Sequence, residues 1–591
     1  MKRSALIILS LFACALTLRA QVATVEVSRP YDVNLDGIRK PAIPTSVDDS
    51  LHRFDVRFDY SIFNRPYSDL YDFTPYESIQ LTTVGANRTP FVFTRLGTQY
   101  APGDKGWMPL GEIYLQSKPK NGFCSGLYSR HNSFFGDLGR SFDAFPVLST
   151  ARQENTVGGD ITYDWATGEL MLDVKYDFDR YDYTAGDGGM MTVAAWPDGY
   201  FPTASHKNNS LSAAFNLNSA QKEENTIYYD ITLSYRNTRK EMAYTRPSVS
   251  TDTTRLTEGF LNVSGYVGAT FDIHRIYIDM NIEHAVYAGV HDFSIGVVEF
   301  SPIYQLHRKR LDARLGVKFG TRYGAAGTIP EPGLELSPRS SIFPDVDIRY
   351  TLVDKALWAH AVVTGGNDLN PYSRMIDDCP IVLPATSMQF GSRPLDATLS
   401  LEGVIGGRLG LNLETNYKIY RNKMIFIPAF DGSSLRQLTA SYRNVNQFSV
   451  QGEAFWRSQD VTVGGRLRYA GYQDADTKTT VTEMPAWTGY AFFRYNFRER
   501  IIAQLECNYR SKTGGSMYNM EPTFSDAVQP VTPLSYEVPA IVDMDLNINY
   551  LINKHFSIFA KVGNVLGHRN QYMPLYLEPG RNFGGGICVN F

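Results

Sequence analysis

Side-chain character alternates along many segments of this chain, and that alternation restricts the folds it can adopt. In the C-terminal segment, Phe583, Ile587, Val589 and Phe591 fall on one face of an extended strand, while glycine, cysteine and asparagine fall on the other. Successive side chains of a β-strand point to opposite faces, so this periodicity predicts strands and an all-β fold. Similar alternation of apolar residues with carboxylates and amides recurs in 170–178, 276–283, 411–418 and 542–550.

Length and composition narrow the fold further. The 591 residues exceed what one soluble core usually organises, so either several domains or one very large barrel is required. Mean hydropathy is −0.25, and beyond residue 20 no apolar run is long enough for a membrane-spanning helix, which excludes a helical membrane protein. The 13% aromatic content suits the girdles of a transmembrane barrel. A net charge of −4 does not favour nucleic acid as a partner.

The connections between predicted strands separate a membrane barrel from a soluble sandwich. Short turns and long polar stretches alternate along the chain, and a sandwich has no reason to segregate its loops in this way. The sequence therefore predicts a large antiparallel, transmembrane, up-and-down β-barrel of about 22 strands, with short periplasmic turns and long extracellular loops. The predicted long loops are 179–208, 236–257, 320–343, 365–394, 420–437, 472–486 and 511–539.

The N-terminal region divides into an export signal and an irregular segment. Residues 1–20 have the basic start and apolar stretch of a secretory signal peptide. A loose lipobox is the alternative, and it would make Cys14 a lipidated N-terminus. Residues 21–89 are predicted to be irregular and to lie in the periplasm or the lumen, and residues 90–591 to form the barrel. The pairing of the remaining cysteines is not readable from sequence, and unpaired thiols are favoured: Cys124, Cys379, Cys507 and Cys588.

Two short motifs near the C-terminus resemble those of a known family. Residues 563–566 follow the penultimate predicted strand, and residues 579–583 precede the last one. Both are similar to the closing strands of TonB-dependent receptors, and the step at 442–445 resembles the middle of that family's barrel. The resemblance covers 395–591 well and 90–394 only by pattern. It implies a 22-stranded barrel in the outer membrane of a diderm bacterium.

The chain departs from that family before the barrel. Family members carry a plug domain that folds inside the lumen, and only residues 21–89 are available for one here. The chain is therefore predicted to lack the plug. Residues 24–28 loosely resemble the segment that binds TonB in these receptors. Without a plug, energy-coupled transport as the family performs it is not supported.

Sequence motifs for catalysis are absent. No zinc-protease motif, P-loop or nucleophile elbow occurs, so the protein is predicted not to be an enzyme and to need no cofactor or metal. Asp377 and Asp378 beside Cys379 are a conceivable divalent-cation site, but ordinary loop charges are favoured. The basic run 307–310 is better explained as a solvated turn than as a contact with a partner or with lipid headgroups.

Candidate functional residues fall into three groups. A charged residue facing lipid would cost roughly 2–4 kcal/mol, so the strand charges are predicted to face the lumen: Asp173, Asp177, Asp230, Asp279, Glu283, Glu414, Lys418, Asp543 and Asp545. Aromatic residues of the loop 179–208 are predicted either to bind a ligand or partner or to fold inward and obstruct the lumen: Tyr181, Tyr183, Trp196 and Tyr200. Phe591 resembles the terminal aromatic signal that the barrel assembly machinery reads.

These features predict passage or uptake of a polar solute across the outer membrane. The lumen would be gated by the segment 21–89, by the loops or by a partner, because an open barrel of this size would leak. The alternative is a non-transporting scaffold for a surface lipoprotein or an envelope assembly complex, and a plain diffusion porin is a third hypothesis. Expected partners are outer-membrane lipid, the barrel assembly machinery, and a lipoprotein or periplasmic protein.

Overall fold

A computed structural model provides the fold of the barrel region. It describes residues 92–138, 148–185, 203–219, 227–246, 249–326, 337–430, 437–498, 500–516, 518–519, 535–574 and 576–591. The predicted signal peptide and the segment 21–89 lie outside the described residues.

Strands dominate the described chain, with one α-helix, α1 (Tyr372–Asp378), and one 3-10 turn at Pro102–Asp104. No helix among the described residues is long and apolar enough to cross a membrane. The strands are β1 (Val92–Ala101), β2 (Gly106–Gln116), β3 (Phe123–Leu138), β4 (Leu148–Trp165), β5 (Gly168–Ala185), β6 (Thr203–Ser219), β7 (Ile227–Arg246), β8 (Val249–Phe271), β9 (His274–Gly289), β10 (Phe293–Arg308), β11 (Leu311–Ala326), β12 (Arg339–Val353), β13 (Leu357–Asp368), β14 (Gly391–Ile405), β15 (Leu409–Phe430), β16 (Gln437–Arg457), β17 (Val461–Asp474), β18 (Trp487–Phe497), β19 (Ile501–Arg510), β20 (Thr513–Ser516), β21 (Tyr518–Asn519), β22 (Ser535–Val538), β23 (Ile541–Leu551), β24 (Phe556–Gly563) and β25 (Asn582–Asn590).

The sheet closes on itself. Each strand from β1 to β19 pairs antiparallel with the next, β19 pairs with β23, and β23 and β24 lead to β25. β25 returns to β1 in a register that runs from Phe93 opposite Asn590 to Tyr100 opposite Phe583. These 22 strands form a closed antiparallel barrel, so the predicted fold class is confirmed. The short strands β20, β21 and β22 lie outside the ring.

The two faces of the barrel wall differ in character. In β9, Ile276 and Ile278 are 55% and 50% exposed, whereas Asp279 lies on the opposite face and pairs with Arg314 of β11 at 4.0 Å. Exposed large apolar side chains occur in the same way on most of the strands. An apolar outer face around a polar interior is the arrangement that a lipid bilayer requires of a barrel.

The barrel has one rim of short turns and another rim where most connections are longer. Connections such as 166–167, 272–273 and 309–310 define the short-turn end, and 369–390 and 564–581 extend from the long-loop end.

The prediction of a long loop at 236–257 is wrong. Its residues continue β7 and β8, which meet at the connection 247–248. β8 has 23 residues, about twice what a bilayer crossing needs. Above the membrane the outer face of a strand meets water instead of lipid, so the backbone pairing continues without any alternation of apolar residues.

Candidate functional site

Two loops from the long-loop end pack inside the barrel. The β13–β14 loop (369–390) contains α1, and the β24–β25 loop (564–581) precedes the last strand. Both contribute to one buried apolar cluster on the inner wall, which includes Leu369, Tyr372, Met375, Cys379, Val382, Met388, Tyr572 and Tyr576 from the loops, and Leu256, Ile295, Val297, Leu438 and Val445 from the strands.

Buried charges hold one side of the β13–β14 loop to β6, β7 and β9. Lys240 is 0% exposed, and its Nζ donates to the backbone oxygen of Pro380 at 2.5 Å and to Asn208 Oδ1 at 2.7 Å. Arg374 of α1 pairs with Glu283 at 3.1 Å. A buried ammonium needs such partners because an unpaired charge in the interior is very costly.

The start of α1 is held by a buried carboxylate on β8. Glu258 is 0% exposed and accepts hydrogen bonds from the backbone N–H groups of Tyr372 and Ser373, the second at 2.9 Å. Arg236 forms a bidentate pair with Asp377, at 2.6 and 2.8 Å. Asp377 is therefore neutralised by a guanidinium, and among the described residues no cluster of potential metal ligands occurs.

The other side of the same loop binds β16. The backbone N–H of Leu383 donates to Leu438 at 2.9 Å, and the Thr386 hydroxyl hydrogen-bonds to that of Thr439 at 3.0 Å. The N–H of Ala440 donates to Thr386 at 2.7 Å. Because β6–β9 and β16 lie on either side of β13 and β14 in the ring, the loop spreads over the inner wall in both directions from its own strands.

The β24–β25 loop approaches from the opposite wall. Arg152 of β4 donates to the backbone oxygen of Leu577 at 2.8 Å and pairs with Glu578 at 3.1 Å. Burial raises the pKa of the Glu578 carboxyl to about 7, with Arg152 opposing the shift and Glu154 adding to it. This carboxyl therefore titrates near neutral pH while the loop is packed in place.

Contacts on both flanks fix the β24–β25 loop. Arg510 of β19 donates to the backbone oxygen of Tyr572 at 2.8 Å, and the Tyr572 hydroxyl donates to Asp543 at 3.1 Å. On the other flank the N–H of Gly580 donates to Asp104 at 2.7 Å. The loop therefore connects wall segments on both sides of the β25–β1 seam.

The two loops meet inside the barrel. Cys379 Sγ lies 3.7 Å from Met573 Sδ, and Met573 packs against the buried cluster. Burial raises the pKa of the Cys379 thiol, so this cysteine is protonated and shielded from reagents. We call the β13–β14 and β24–β25 loops together the inner loop pair. Their combined contacts reach strands from β4 to β23 around the inner wall at the long-loop end.

Solved structures provide the comparison for this architecture, because no protein-family model and no curated protein matches the chain. The copper transporter OprC aligns with a TM-score of 0.61 and 10% identity, over 85% of this chain and 82% of that one. The chain has the barrel fold of the TonB-dependent receptors. The siderophore receptor PirA from Acinetobacter baumannii aligns at 0.61 with 10% identity, over 86% and 81%. The FrpB iron transporter from Neisseria meningitidis aligns at 0.61 with 10% identity, over 85% and 82%.

The family resemblance seen in the sequence is thus confirmed at the level of the fold. The apolar outer face and the TonB-dependent receptor fold also agree with the predicted location in the outer membrane of a diderm bacterium. The predicted lack of a plug concerns 21–89, which lie outside the described residues.

The nine predicted lumen charges all lie on barrel strands. Glu283, Asp543 and Asp545 contact the inner loop pair, while the others belong to the wall, and a role for all nine in passage stays a prediction. Their neighbours are Tyr128 for Asp173, Thr156 for Asp177, Asn216 for Asp230, Arg314 for Asp279, Arg374 for Glu283, Asp396 for Lys418, Tyr572 for Asp543, Lys561 for Asp545, and the cross-strand residues Ser400 and Gln451 for Glu414.

The predicted loop aromatics are only partly within the described chain. Tyr181 lies on β5, is buried in the apolar cluster, and donates its hydroxyl to Glu154 at 2.9 Å. Tyr183 pairs through its backbone near the end of β5, and Trp196 and Tyr200 lie outside the described residues. Phe591 is 53% exposed and stacks on His555 with ring centroids 5.1 Å apart.

Sequence reasoning missed the residues that hold the inner loops. Lys240 lies within 236–257, which the sequence predicts to be a polar loop, and Glu258 directly follows it. A signal for the β13–β14 loop was nevertheless present, because residues 375–390 carry more large apolar side chains than a solvated loop needs: Met375, Ile376, Ile381, Val382, Leu383, Met388 and Phe390.

Proposed function

We propose that the protein admits a polar solute through the lumen of an outer-membrane barrel, and that the inner loop pair is its gate. The observation that carries this proposal is the β13–β14 loop itself, which bonds to β6–β9 on one side and to β16 on the other. The structural neighbours support uptake in general, because they are named as a copper transporter, an iron transporter and a siderophore receptor.

The attachment of the β13–β14 loop suits a gate. Besides the buried apolar cluster, polar contacts through Lys240, Glu258 and Arg236 hold the loop to β6–β9, and water can replace these polar contacts when the loop moves away. The loop is continuous with β13 and β14 at its ends, so its middle can leave the lumen without breaking the barrel wall. The predicted lumen charges of the barrel strands are carboxylates except for Lys418, which favours a polar solute over an apolar one.

Single-channel conductance in planar bilayers tests the gate. Replacing residues 371–388 with a short Gly-Ser linker should raise the conductance well above that of the intact barrel. The matched control replaces the β11–β12 connection, 327–338, with the same linker and should leave the conductance unchanged. Replacing the β24–β25 loop as well should raise it further. If the conductance is unchanged with both inner loops replaced, the gating proposal is wrong.

The segment 21–89 is a second proposed obstruction. Deleting it from the intact barrel and from the loop-replaced barrel separates its contribution from that of the inner loop pair. If neither deletion nor loop replacement opens the barrel, and a stoichiometric protein co-purifies in mild detergent, the scaffold hypothesis replaces transport. Catalysis forms no part of the proposal.

A further inference from the structure

A polar cavity lies between the β13–β14 loop and the wall strands β14 and β15. Its volume is about 380 Å³, within the range of small-molecule sites. The lining includes two carboxylates and five basic residues, Arg374, Arg393, Lys418, Arg421 and Lys423. This concentration of positive charge contrasts with the predicted lumen charges of the wall, which are carboxylates except for Lys418.

The backbone of β15 is irregular at this cavity. Its pairing with β16 shifts register between Tyr420 and Lys423, and Asn422 has a φ of 53°. A regular strand presents every second residue to one face, but here the consecutive residues 420–424 all border the cavity. Bulges of this kind redirect side chains and are over-represented next to functional sites.

The bulge is tied to the inner loop. The backbone N–H of Asn422 donates to Asn444 Oδ1 at 3.1 Å, and Asn422 Nδ2 donates to the backbone oxygen of Phe390 at 3.0 Å. β14 shifts register as well, between Ser392 and Leu395. Both wall strands are therefore irregular where the cavity and the β13–β14 loop meet.

Carboxylates already neutralise part of the positive charge. Arg393 pairs with Asp368 at 3.4 Å, and Lys418 pairs with Asp396 at 3.2 Å. Lys423 Nζ lies 4.1 Å from the centre of the Tyr420 ring. Arg421 makes no ion pair within the described part of the chain. The cavity thus combines fixed cations held by the wall with a guanidinium that retains its donors for a ligand.

We propose that this cavity binds a small multivalent anion that carries two or more carboxylate or phosphate groups. Guanidinium groups bind such oxygens in bidentate geometry, and several cations around one recess attract a multivalent anion more strongly than a single cation does. Binding itself does not depend on transport. Only the further step, that the bound anion is the solute admitted past the inner loop pair, rests on the proposed function.

Isothermal titration of the full-length protein in detergent tests the site, with citrate and inorganic tripolyphosphate as probes and glucose as the neutral control. We expect at least one anion to bind. The anion that binds with the higher affinity will indicate whether the site prefers carboxylate or phosphate oxygens. In Arg421→Gln/Lys423→Gln the affinity should fall by about tenfold or more. The single variant Arg421→Gln, which changes a solvent-accessible side chain, covers the case in which the double variant does not fold.

The matched control is Lys175→Gln/Arg180→Gln on β5, which removes the same charge from a distant strand and should leave the affinity unchanged. Equal affinities of the cavity variants and the wild-type protein, or no binding of either anion, would overturn the proposal. If loop replacement opens the pore but no anion binds, the cavity proposal fails and the gate stands. If an anion binds at the cavity but no loop replacement changes the conductance, the gating proposal fails and the cavity proposal stands.

Discussion

The contact between Glu258 and the start of α1 allows a quantitative test of how the inner loop is held. Both oxygens of this buried carboxylate accept backbone N–H groups, from Tyr372 and Ser373. In Glu258→Gln the side chain keeps its shape, but one acceptor becomes an NH₂ group that faces a donor. The substitution therefore removes one charge-assisted hydrogen bond from the packed state of the loop.

The size of the expected shift in the loop equilibrium follows from the loss of that one hydrogen bond. A hydrogen bond to a charged group contributes about 1.5–3 kcal/mol, and each 1.4 kcal/mol changes an equilibrium about tenfold. The population in which α1 has left the wall should therefore rise between about tenfold and about a hundredfold in Glu258→Gln. The barrel wall should be unaffected, because Glu258 stays paired through its backbone to β7 and β9.

Cys379 reports this opening directly. It is buried in the closed protein, where its raised thiol pKa further suppresses reaction. The rate of maleimide labelling at Cys379 should therefore increase with the open population, by the same factor. Cys379→Ser provides the background from the other three free cysteines of the described chain.

Glu241→Gln is the matched control, because Glu241 makes its ion pairs with Lys207, Arg239 and Arg255 of the wall strands rather than with the loop. Its labelling rate at Cys379 should equal that of the wild-type protein. An unchanged rate in Glu258→Gln would refute the reasoning, since it would mean that Cys379 becomes exposed without release of α1.

Three further predictions address the second loop, the buried lysine and the chain end. The Glu578 carboxyl has a pKa raised from 4.5 to about 7 while the β24–β25 loop is packed against the wall. Packing of this loop is therefore most favourable below pH 4.5 and weakens as the pH rises to about 7. Conductance should therefore rise across this interval, and Glu578→Gln should weaken the dependence. Lys240→Met should increase Cys379 labelling, because the Pro380 oxygen loses one of its two donors and keeps only Asn208 Nδ2; a rate equal to wild type would show that the Lys240 contact does not hold the loop. Phe591→Ala should reduce the fraction of folded barrel in heat-modifiable electrophoresis, whereas Phe583→Ala, which truncates another exposed aromatic of the same C-terminal segment, should not.

The barrel could be predicted from sequence because the bilayer imposes one requirement on every strand. Each crossing must present apolar residues to lipid and tolerates polar ones only inside, so the period of two appears wherever the wall is in the membrane. The same reasoning explains the error at 236–257. There the strands extend into water, the requirement disappears, and paired backbone carries a sequence that resembles a loop.

The gate could not be predicted in the same way, because its contacts join segments that no local pattern relates. Lys240 and Pro380 are 140 residues apart, and Arg152 and Glu578 are 426 apart. Alternation is absent around Lys240, and no local pattern shows which loop returns to meet Lys240 or Arg152. What the sequence does carry is a mismatch between the apolar content of 375–390 and its position in a predicted extracellular loop. A long loop that cannot be left in water must fold onto something, and in a closed barrel with a lipid-facing exterior the surface available to it is the inner wall.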